Sequence, residues 1–260
     1  MIKKIGKIYP HFTVANNKKP NRLYAFPFFG LLIKLIMLIP VMIVMCILSI
    51  YAFFIYLANW FYISFTGKYW DYAYKLFLGI MRLSGKMQLF IFGITDTYPG
   101  FEMDTKGLFE LNIPKPEKIN IWLAIPLVGI FVRFILLIPY FIFNDVLQRG
   151  AQVAMVFSWF TVTFKGNFPD SLYEFERDSM RVSFASTTYL LGLVDRYPSF
   201  SISMNHKNVK IGLIIVGAVL ALGNMNSSYG RQTHEMQKNN YRYQMPNQAP
   251  QQPIQRSNSY

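Results

Sequence analysis

The chain has 260 residues, of which 53% are hydrophobic and 15% are charged, and its net charge is +13. Ordinary soluble domains contain about 25% charged residues, whereas residues 25–65 of this chain carry a single charge, Lys34. This composition excludes a fully disordered chain and argues against a soluble globule. The one cysteine, Cys46, excludes an internal disulfide and a cysteine-based zinc site. The sequence therefore predicts a membrane protein.

Basic residues are concentrated in an N-terminal arm. Residues 1–22 contain six Lys and Arg and no Asp or Glu. Such an arm, placed before a first apolar segment, usually stays cytoplasmic and contacts anionic lipids. A nucleic-acid partner is not expected, because the aromatic residues lie inside apolar runs and not on a basic, solvated face. A cleaved signal peptide is not expected either, because the apolar region starts late and exceeds the usual length of about 7–15 residues.

A shift of 99 residues aligns the chain with itself without a gap. The aligned pairs include Lys34 with Arg133, residues 38–40 with 137–139 (Leu-Ile-Pro), residues 60–61 with 159–160 (Trp-Phe), and residues 96–101 with 195–200 (Asp-x-Tyr-Pro-x-Phe). Chance does not align so many Trp, Pro and charged positions at one offset. We therefore predict two tandem copies of one unit, residues 12–104 and 111–203.

Each copy opens with a short extended piece and continues with an apolar stretch, residues 23–65 and 120–164. A straight helix of about 43 residues would be about 65 Å long, roughly twice the thickness of bilayer hydrocarbon. We therefore predict an all-α integral membrane protein in which each copy forms a transmembrane helical hairpin, with Pro40 and Pro139 kinking the first helices. The polar run 144–150 marks the turn of the second hairpin. The predicted spans are residues 24–45 with 48–66, and residues 120–143 with 148–165.

One alternative keeps a single kinked span per copy together with an interfacial helix. In either case residues 72–95 and 171–194 are predicted to be amphipathic helices on the cytoplasmic surface, because the second of them is too charged for hydrocarbon. Residues 210–224 are predicted to form a short apolar helix: a fifth span, a re-entrant piece or a helix packed on the bundle. Residues 225–260, rich in Asn, Gln, Ser and Pro, are predicted to be a disordered tail.

Lys34 and Arg133 are the candidate lipid- or anion-binding residues. A cation inside an apolar helix costs about 2.5–3.5 kcal/mol at the bilayer centre, and both copies keep one. The functional interpretation is a lipid phosphate bound between helices. The structural interpretation, which we favour, is that these side chains reach the headgroups or pair with a carboxylate such as Asp71 or Asp170.

Two further sets of residues recur in both copies. We interpret Arg82 with Asp96, and Arg181 with Asp195, as structural ion pairs that fix the turn after the second helix. We interpret the recurring Trp60, Trp159, Tyr98 and Tyr197 as anchors at the membrane interface.

Catalytic motifs are absent from the sequence. There is no H-E-x-x-H, G-x-S-x-G, P-loop or C-x-x-C, and the three histidines lie outside the apolar stretches. We therefore expect no enzymatic activity, no catalytic residues, no metal and no cofactor.

Three motifs resemble a bacterial family known as domain of unknown function 4389. They are the basic residue before Ile-Pro (34–40 and 133–139), the turn Phe-Thr-Gly-Lys-Tyr (65–69), and Asp-x-Tyr-Pro-x-Phe (96–101 and 195–200). The second copy departs from the turn motif at Lys165 and Asn167, which weakens any role for that basic position. The resemblance covers residues 12–203. It implies a protein of the bacterial cytoplasmic membrane and supplies no activity.

Taken together, the sequence favours a non-catalytic multi-pass membrane protein with a cytoplasmic N-terminus. We expect it to act as an accessory or scaffold subunit that docks a protein partner through its cytoplasmic face and tail. The alternative is a lipid-binding or transport protein that uses Lys34 and Arg133 and binds anionic lipids.

Overall fold

The structure is a computed structural model that describes residues 11–14, 20–104, 109–116, 119 and 128–244. The chain divides into two compact units, residues 1–218 and 219–260. The described elements, in chain order, are β1 His11–Val14, α1 Arg22–Ala25, α2 Phe29–Thr66, α3 Asp71–Phe92, β2 Phe109–Asn112, α4 Val128–Lys165, α5 Asp170–Leu190 and α6 Lys207–Gln244. The protein is therefore mainly helical. The basic arm lies largely outside the described residues.

Helices α2 and α4 are each 38 residues long and are apolar enough to cross a membrane. Each continues without interruption through the place where a hairpin turn was predicted. The hairpin prediction, with spans at 24–45, 48–66, 128–143 and 148–165, is therefore wrong. Its remaining residues, 120–127, lie outside the described residues. The alternative of a single kinked span per copy agrees with these bounds in the number of helices, and its kink and its crossing of the membrane remain predictions.

The physical reason is clear for α2. Residues 41–65 contain no Gly or Pro, so nothing reverses the chain before Gly67, which has a left-handed φ of 67° and donates its N–H to the carbonyl of Ile63 at 2.8 Å. In α4 the polar run 144–150 stays helical, because Asp145 and Arg149 pair one turn apart at 2.9 Å. Pro40 and Pro139 lie inside the helices, and the kinks remain a prediction.

Helices α3 and α5 fold back along the long helices. The backbone N–H of Trp70, just before α3, donates to Asn59 Oδ1 at 3.1 Å, and the other end of α3 reaches Lys34 through Phe90. Helix α5 follows α4 in the same way, since Tyr140 Oη donates to the carbonyl of Val182 at 3.3 Å. Both helices occur close to the predicted positions 72–95 and 171–194.

Strands β1 and β2 form an antiparallel pair at the beginnings of the two predicted copies. Phe12 lies opposite Leu111, and Thr13 lies opposite Glu110. Two tyrosines tie the pair to the helices: Tyr74 Oη donates to the carbonyl of Ile113 at 2.5 Å, and Tyr173 Oη donates to the carbonyl of Val14 at 2.8 Å. The pair therefore places the starts of both copies side by side.

Helix α6 corrects two predictions at the C-terminal end. It begins at Lys207 and continues to Gln244, so the short helix 210–224 is too short and residues 225–244 of the tail are helical. No proline occurs between Lys207 and Pro246, so nothing in the sequence prevents the backbone hydrogen bonds from continuing. Residues 245–260 lie outside the described residues.

Candidate functional site

Arg133, a residue of α4, is fully buried beside the C-terminal end of α5. Its Nη1 donates to the carbonyls of Tyr189, at 2.8 Å, and Val194, at 3.3 Å, and its Nη2 forms an ion pair with Asp195. The guanidinium also lies 5.0 Å from the Tyr189 ring centre and 5.8 Å from that of Trp60. A cation at a helix C-terminus is favourable, because the last carbonyls of the helix have no partner within it. Arg133 is therefore bound by the protein's own groups.

Lys34 occupies the matching place in the first half of the chain. It is 1% exposed, and its Nζ lies 5.3 Å from the centre of the Phe90 ring. Asp96 and Glu176 are the acids whose charges act on it. Asp96 also accepts a hydrogen bond from the backbone N–H of Asn21 at 2.5 Å. Lys34 thus lies near two internal carboxyl groups, and among the described residues no ion pair joins Lys34 or Arg133 to Asp71 or Asp170.

Glu176 is an acid that the sequence interpretation missed. It is 0% exposed on α5, and neither carboxylate oxygen has a hydrogen-bond partner within the described residues. Burial raises the pKa of Glu176 well above its ordinary value, and the charge of Lys34 opposes that shift in part. The repeat contains a signal for this burial. The matching position of the first copy is occupied by Phe77, an apolar residue, which indicates that the position faces the interior.

The neighbouring Glu174 has the opposite tendency. Burial alone would raise the pKa of its carboxyl, but the backbone N–H of Asn205 at 3.0 Å and the ring of His206 at 3.3 Å outweigh burial and lower it. Two acids that are two residues apart, and so lie on nearly opposite faces of α5, therefore respond to pH in opposite ways.

We expect Glu176→Gln and Glu174→Gln to change the dependence of the free energy of unfolding on pH in opposite ways. The unfolded chain releases the Glu176 proton near its ordinary pKa of about 4.3, while the folded chain keeps it. The free energy of unfolding therefore falls as pH rises above that value. Glu176→Gln should remove this fall. Glu174 stabilises the folded state above its unfolded pKa and loses that contribution in acid. Glu174→Gln should therefore reduce the loss of stability as the pH falls on the acid side of the profile.

The measurement is thermal unfolding of each variant in detergent micelles between pH 4 and pH 8, followed by circular dichroism. The two variants are matched controls for one another, since they lie on the same helix and make the same substitution. Parallel profiles for the two variants would contradict the assignment.

A buried polar network holds the segment after α5. Asp178, with its side chain 1% exposed, accepts from the backbone N–H of Ser203 at 2.6 Å and pairs with Arg177 at 3.2 Å and Arg181 at 3.7 Å. Arg181 also donates to the carbonyl of Ser201 at 3.1 Å. The network fixes residues 201–203 against α5 and pairs the buried Asp178 with two arginines.

The structure corrects both predicted ion pairs. Arg82 donates to the carbonyl of Leu111 at 3.1 Å and lies 3.8 Å from Asp104, so it does not pair with Asp96. Arg181 pairs with Asp178, so it does not pair with Asp195. The reason is geometric. The turns after α3 and α5 place Asp96 and Asp195 near the starts of α2 and α4, away from Arg82 and Arg181.

The two tryptophans are not exposed anchors. Trp60 is 1% exposed and Trp159 is 6% exposed, so both belong to the protein interior. Tyr98 packs edge-on against Phe90, and Tyr197 donates its hydroxyl to the carbonyl of Leu136 at 3.1 Å. An interfacial role for the two tyrosines remains a prediction.

An apolar cleft of about 280 Å³ opens between α2, α3 and α5. Its lining includes Ala52, Phe53, Ile80 and Leu191. A cleft of this size and lining can hold part of an acyl chain. It does not contain Lys34 or Arg133.

Comparison with known proteins supports the resemblance seen in the sequence. Residues 128–201 match the family model described as a domain of unknown function, DUF4389. This stretch of the chain is similar to that family. The DUF4389 match begins with α4 and includes α5, Arg133 and Asp195. No curated protein and no solved structure matches the chain.

Proposed function

We propose that the protein is a non-catalytic membrane protein that serves as an accessory or scaffold subunit of an assembly in the bacterial cytoplasmic membrane, with its N-terminus cytoplasmic. The supporting observation is the exposed apolar surface of α2 and α4. Large side chains such as Phe29, Ile47 and Phe65 are 62–87% exposed, and a protein in water rarely keeps so long an apolar surface uncovered. The membrane lipids, anionic ones included, are its first partners.

We also propose that the chain is two copies of one unit related by an internal two-fold axis. Support comes from the strand pair, in which Phe12 lies opposite Leu111, its partner at the 99-residue offset. The bonds of Tyr74 to Ile113 and of Tyr173 to Val14 obey the same offset. Gly93 and Gly192, also 99 residues apart, lie beside Lys34 and Arg133 respectively.

The second half of α6 favours docking of a protein partner. Residues 225–244 are mostly polar, and a polar helix of this length is not stable alone in water. Met or Tyr occupies positions 225, 229, 236 and 243 of this helix. Met and Tyr are enriched at protein interfaces.

The test is to isolate the protein from its own membranes in a lipid-preserving polymer and to weigh the intact particle by mass spectrometry. We expect a stoichiometric protein partner that is lost when the chain is truncated after Gly223 or when Met236, which is exposed, becomes Asp. Glu235→Gln, on the adjacent exposed position, is the matched control and should keep the partner. A truncated protein that retains every partner would contradict the scaffold proposal.

The second candidate is a lipid-binding or transport protein, which the apolar cleft favours. A particle that holds only a defined anionic lipid would support it. Lys34→Leu and Arg133→Leu then separate the two uses of the cations: normal folding with lost lipid binding or flux supports a ligand role, and misfolding supports a structural one. The internal partners of Arg133 favour the structural role.

A further inference from the structure

We propose that α2 and α4 lie in the plane of one membrane surface, embedded in a single lipid leaflet by their exposed apolar faces, and do not cross the bilayer. This placement rests on the membrane role proposed above and goes beyond it, because it fixes which surface meets lipid and how deeply. The occupant of the apolar surface is one leaflet with anionic headgroups.

The first argument is the length of the apolar face of α2. Phe29, Ile47 and Phe65 are 69%, 62% and 87% exposed, and they are spaced 18 residues, or five turns, apart on one line of the helix. On the opposite face Leu38 and Ile63 are buried, whereas Met42 and Ser49 in the middle of the helix are exposed. One exposed apolar line therefore continues over about 54 Å.

That length decides between the two orientations. Bilayer hydrocarbon is about 30 Å thick, so a helix that crosses upright leaves roughly 24 Å of this line in water or headgroups. Bringing the whole line into the hydrocarbon of a crossing helix requires a tilt above the observed range of about 0–40°. A helix that lies in the interface buries the whole line.

The second argument comes from the centre of α4. Phe131 and Arg149 are also 18 residues apart, so Arg149 and its ion-pair partner Asp145 lie on the same side of the helix as the exposed Phe131. Their side chains are 24% and 48% exposed. In an upright crossing this pair would lie near the bilayer centre, where charges are most costly. In the interface the long Arg149 side chain can reach the headgroups, and Asp145 stays paired with it.

The third argument is the irregular segment 195–206, which runs beside α4 and α5. Tyr197 bonds to Leu136 of α4, and Asn205 bonds to Glu174 of α5. The segment forms neither helix nor strand, and it exposes Arg196, Ser199 and His206. Irregular backbone does not occur against lipid hydrocarbon. This side of α4 therefore faces water while its Phe131 side faces lipid, which is the arrangement of an interfacial helix.

Charge at the two ends of α2 agrees with this orientation. Arg22 lies before the helix and Lys68 after it, and both are exposed. In the plane of the membrane both contact the same anionic surface, which also suits the net charge of +13. A single crossing would place them on opposite sides of the membrane, against the usual confinement of basic residues to the cytoplasmic side.

Site-directed spin labels test the orientation. On a Cys46→Ala background, single cysteines replace Phe29, Ile47 or Phe65, and the labelled proteins are reconstituted in phosphatidylcholine vesicles with phosphatidylglycerol. The depth of each label follows from its relative accessibility to oxygen and to a water-soluble nickel chelate. We expect three similar depths, within about 5–10 Å of the headgroup boundary. Ser199→Cys, on the irregular segment, is the control that should remain accessible to the nickel chelate.

A central label at the bilayer midplane with both end labels in water would overturn the proposal in favour of crossing. Three labels shielded from both reagents would overturn it in favour of a protein partner on this face. Either result leaves the membrane role intact, whereas four labels fully in water would refute both.

Sidedness gives a second, independent readout. Arg22→Cys and Lys68→Cys are exposed to an impermeant maleimide on spheroplasts and on inverted membrane vesicles. We expect both to react only on inverted vesicles. Reaction from opposite sides would overturn the proposal.

Discussion

Replacing Arg133 with leucine is expected to lower the free energy of unfolding by about 3–5 kcal/mol. The substitution leaves Asp195 beside an apolar side chain and removes the donor from the carbonyls of Tyr189 and Val194. Arg133 is fully buried, whereas the Asp195 side chain is 29% exposed. Most of the cost therefore falls on the lost arginine packing and on the two carbonyls that lose their donor. The free energy of unfolding of Arg133→Lys should lie between those of the unchanged protein and of Arg133→Leu, since an ammonium cannot reproduce the planar set of donors.

Arg196→Leu is the matched control. It removes the same charge from the position next to Asp195 but on an exposed side chain, and its effect should stay within about 0.5 kcal/mol. The measurement is thermal and urea unfolding in detergent micelles, followed by circular dichroism. Equal effects for the two variants would show that Arg133 does not hold the end of α5 to α4.

The order of elements in each half could be predicted from the sequence, because the signals are local. Gly67 and Gly166 both adopt left-handed φ values, 67° and 74°. Each ends a long helix within the turn motif, residues 65–69, or within its second copy, residues 164–168. The shorter helices α3 and α5 follow directly, since Asp71 and Asp170 stand in their first turns.

The number of helices in each apolar stretch could not be predicted in this way. A polar run such as 144–150 looks the same whether it turns in water or stays helical against a partner. Gln148 shows the difference, because its side-chain amide donates to the carbonyl of Ser179 on α5 at 3.2 Å. That partner lies 31 residues away, and a local pattern does not reveal it.

The candidate site shows the same division. Lys34 and Arg133 could be singled out because a cation inside an apolar stretch is rare. Their partners could not, because the turns that carry Asp96 and Asp195 fold back through tertiary packing. Glu176 escaped notice because charges elsewhere on α5 made it look like part of a solvated face, whereas it is fully buried.

Gly217→Ala is expected to destabilise the protein by about 1–3 kcal/mol, although alanine is the better helix former. A Cβ at Gly217 would lie 2.2 Å from the carbonyl oxygen of Val146 and 2.9 Å from the backbone N of Gly150. Both atoms belong to the backbone of α4, so neither can move aside as a flexible side chain could. The small residues therefore allow α6 and α4 to approach closely.

Gly212→Ala tests the cause within the same helix. A Cβ at Gly212 would meet nothing within 4 Å, so this variant should gain about 0.8–1 kcal/mol from helix propensity alone. The two substitutions are chemically identical and should change the midpoint of thermal unfolding in opposite directions. If both raise it, the contact at Gly217 does not limit how α6 packs on α4. If Gly217→Ala alone lowers it, close backbone contact holds the first part of α6 against α4.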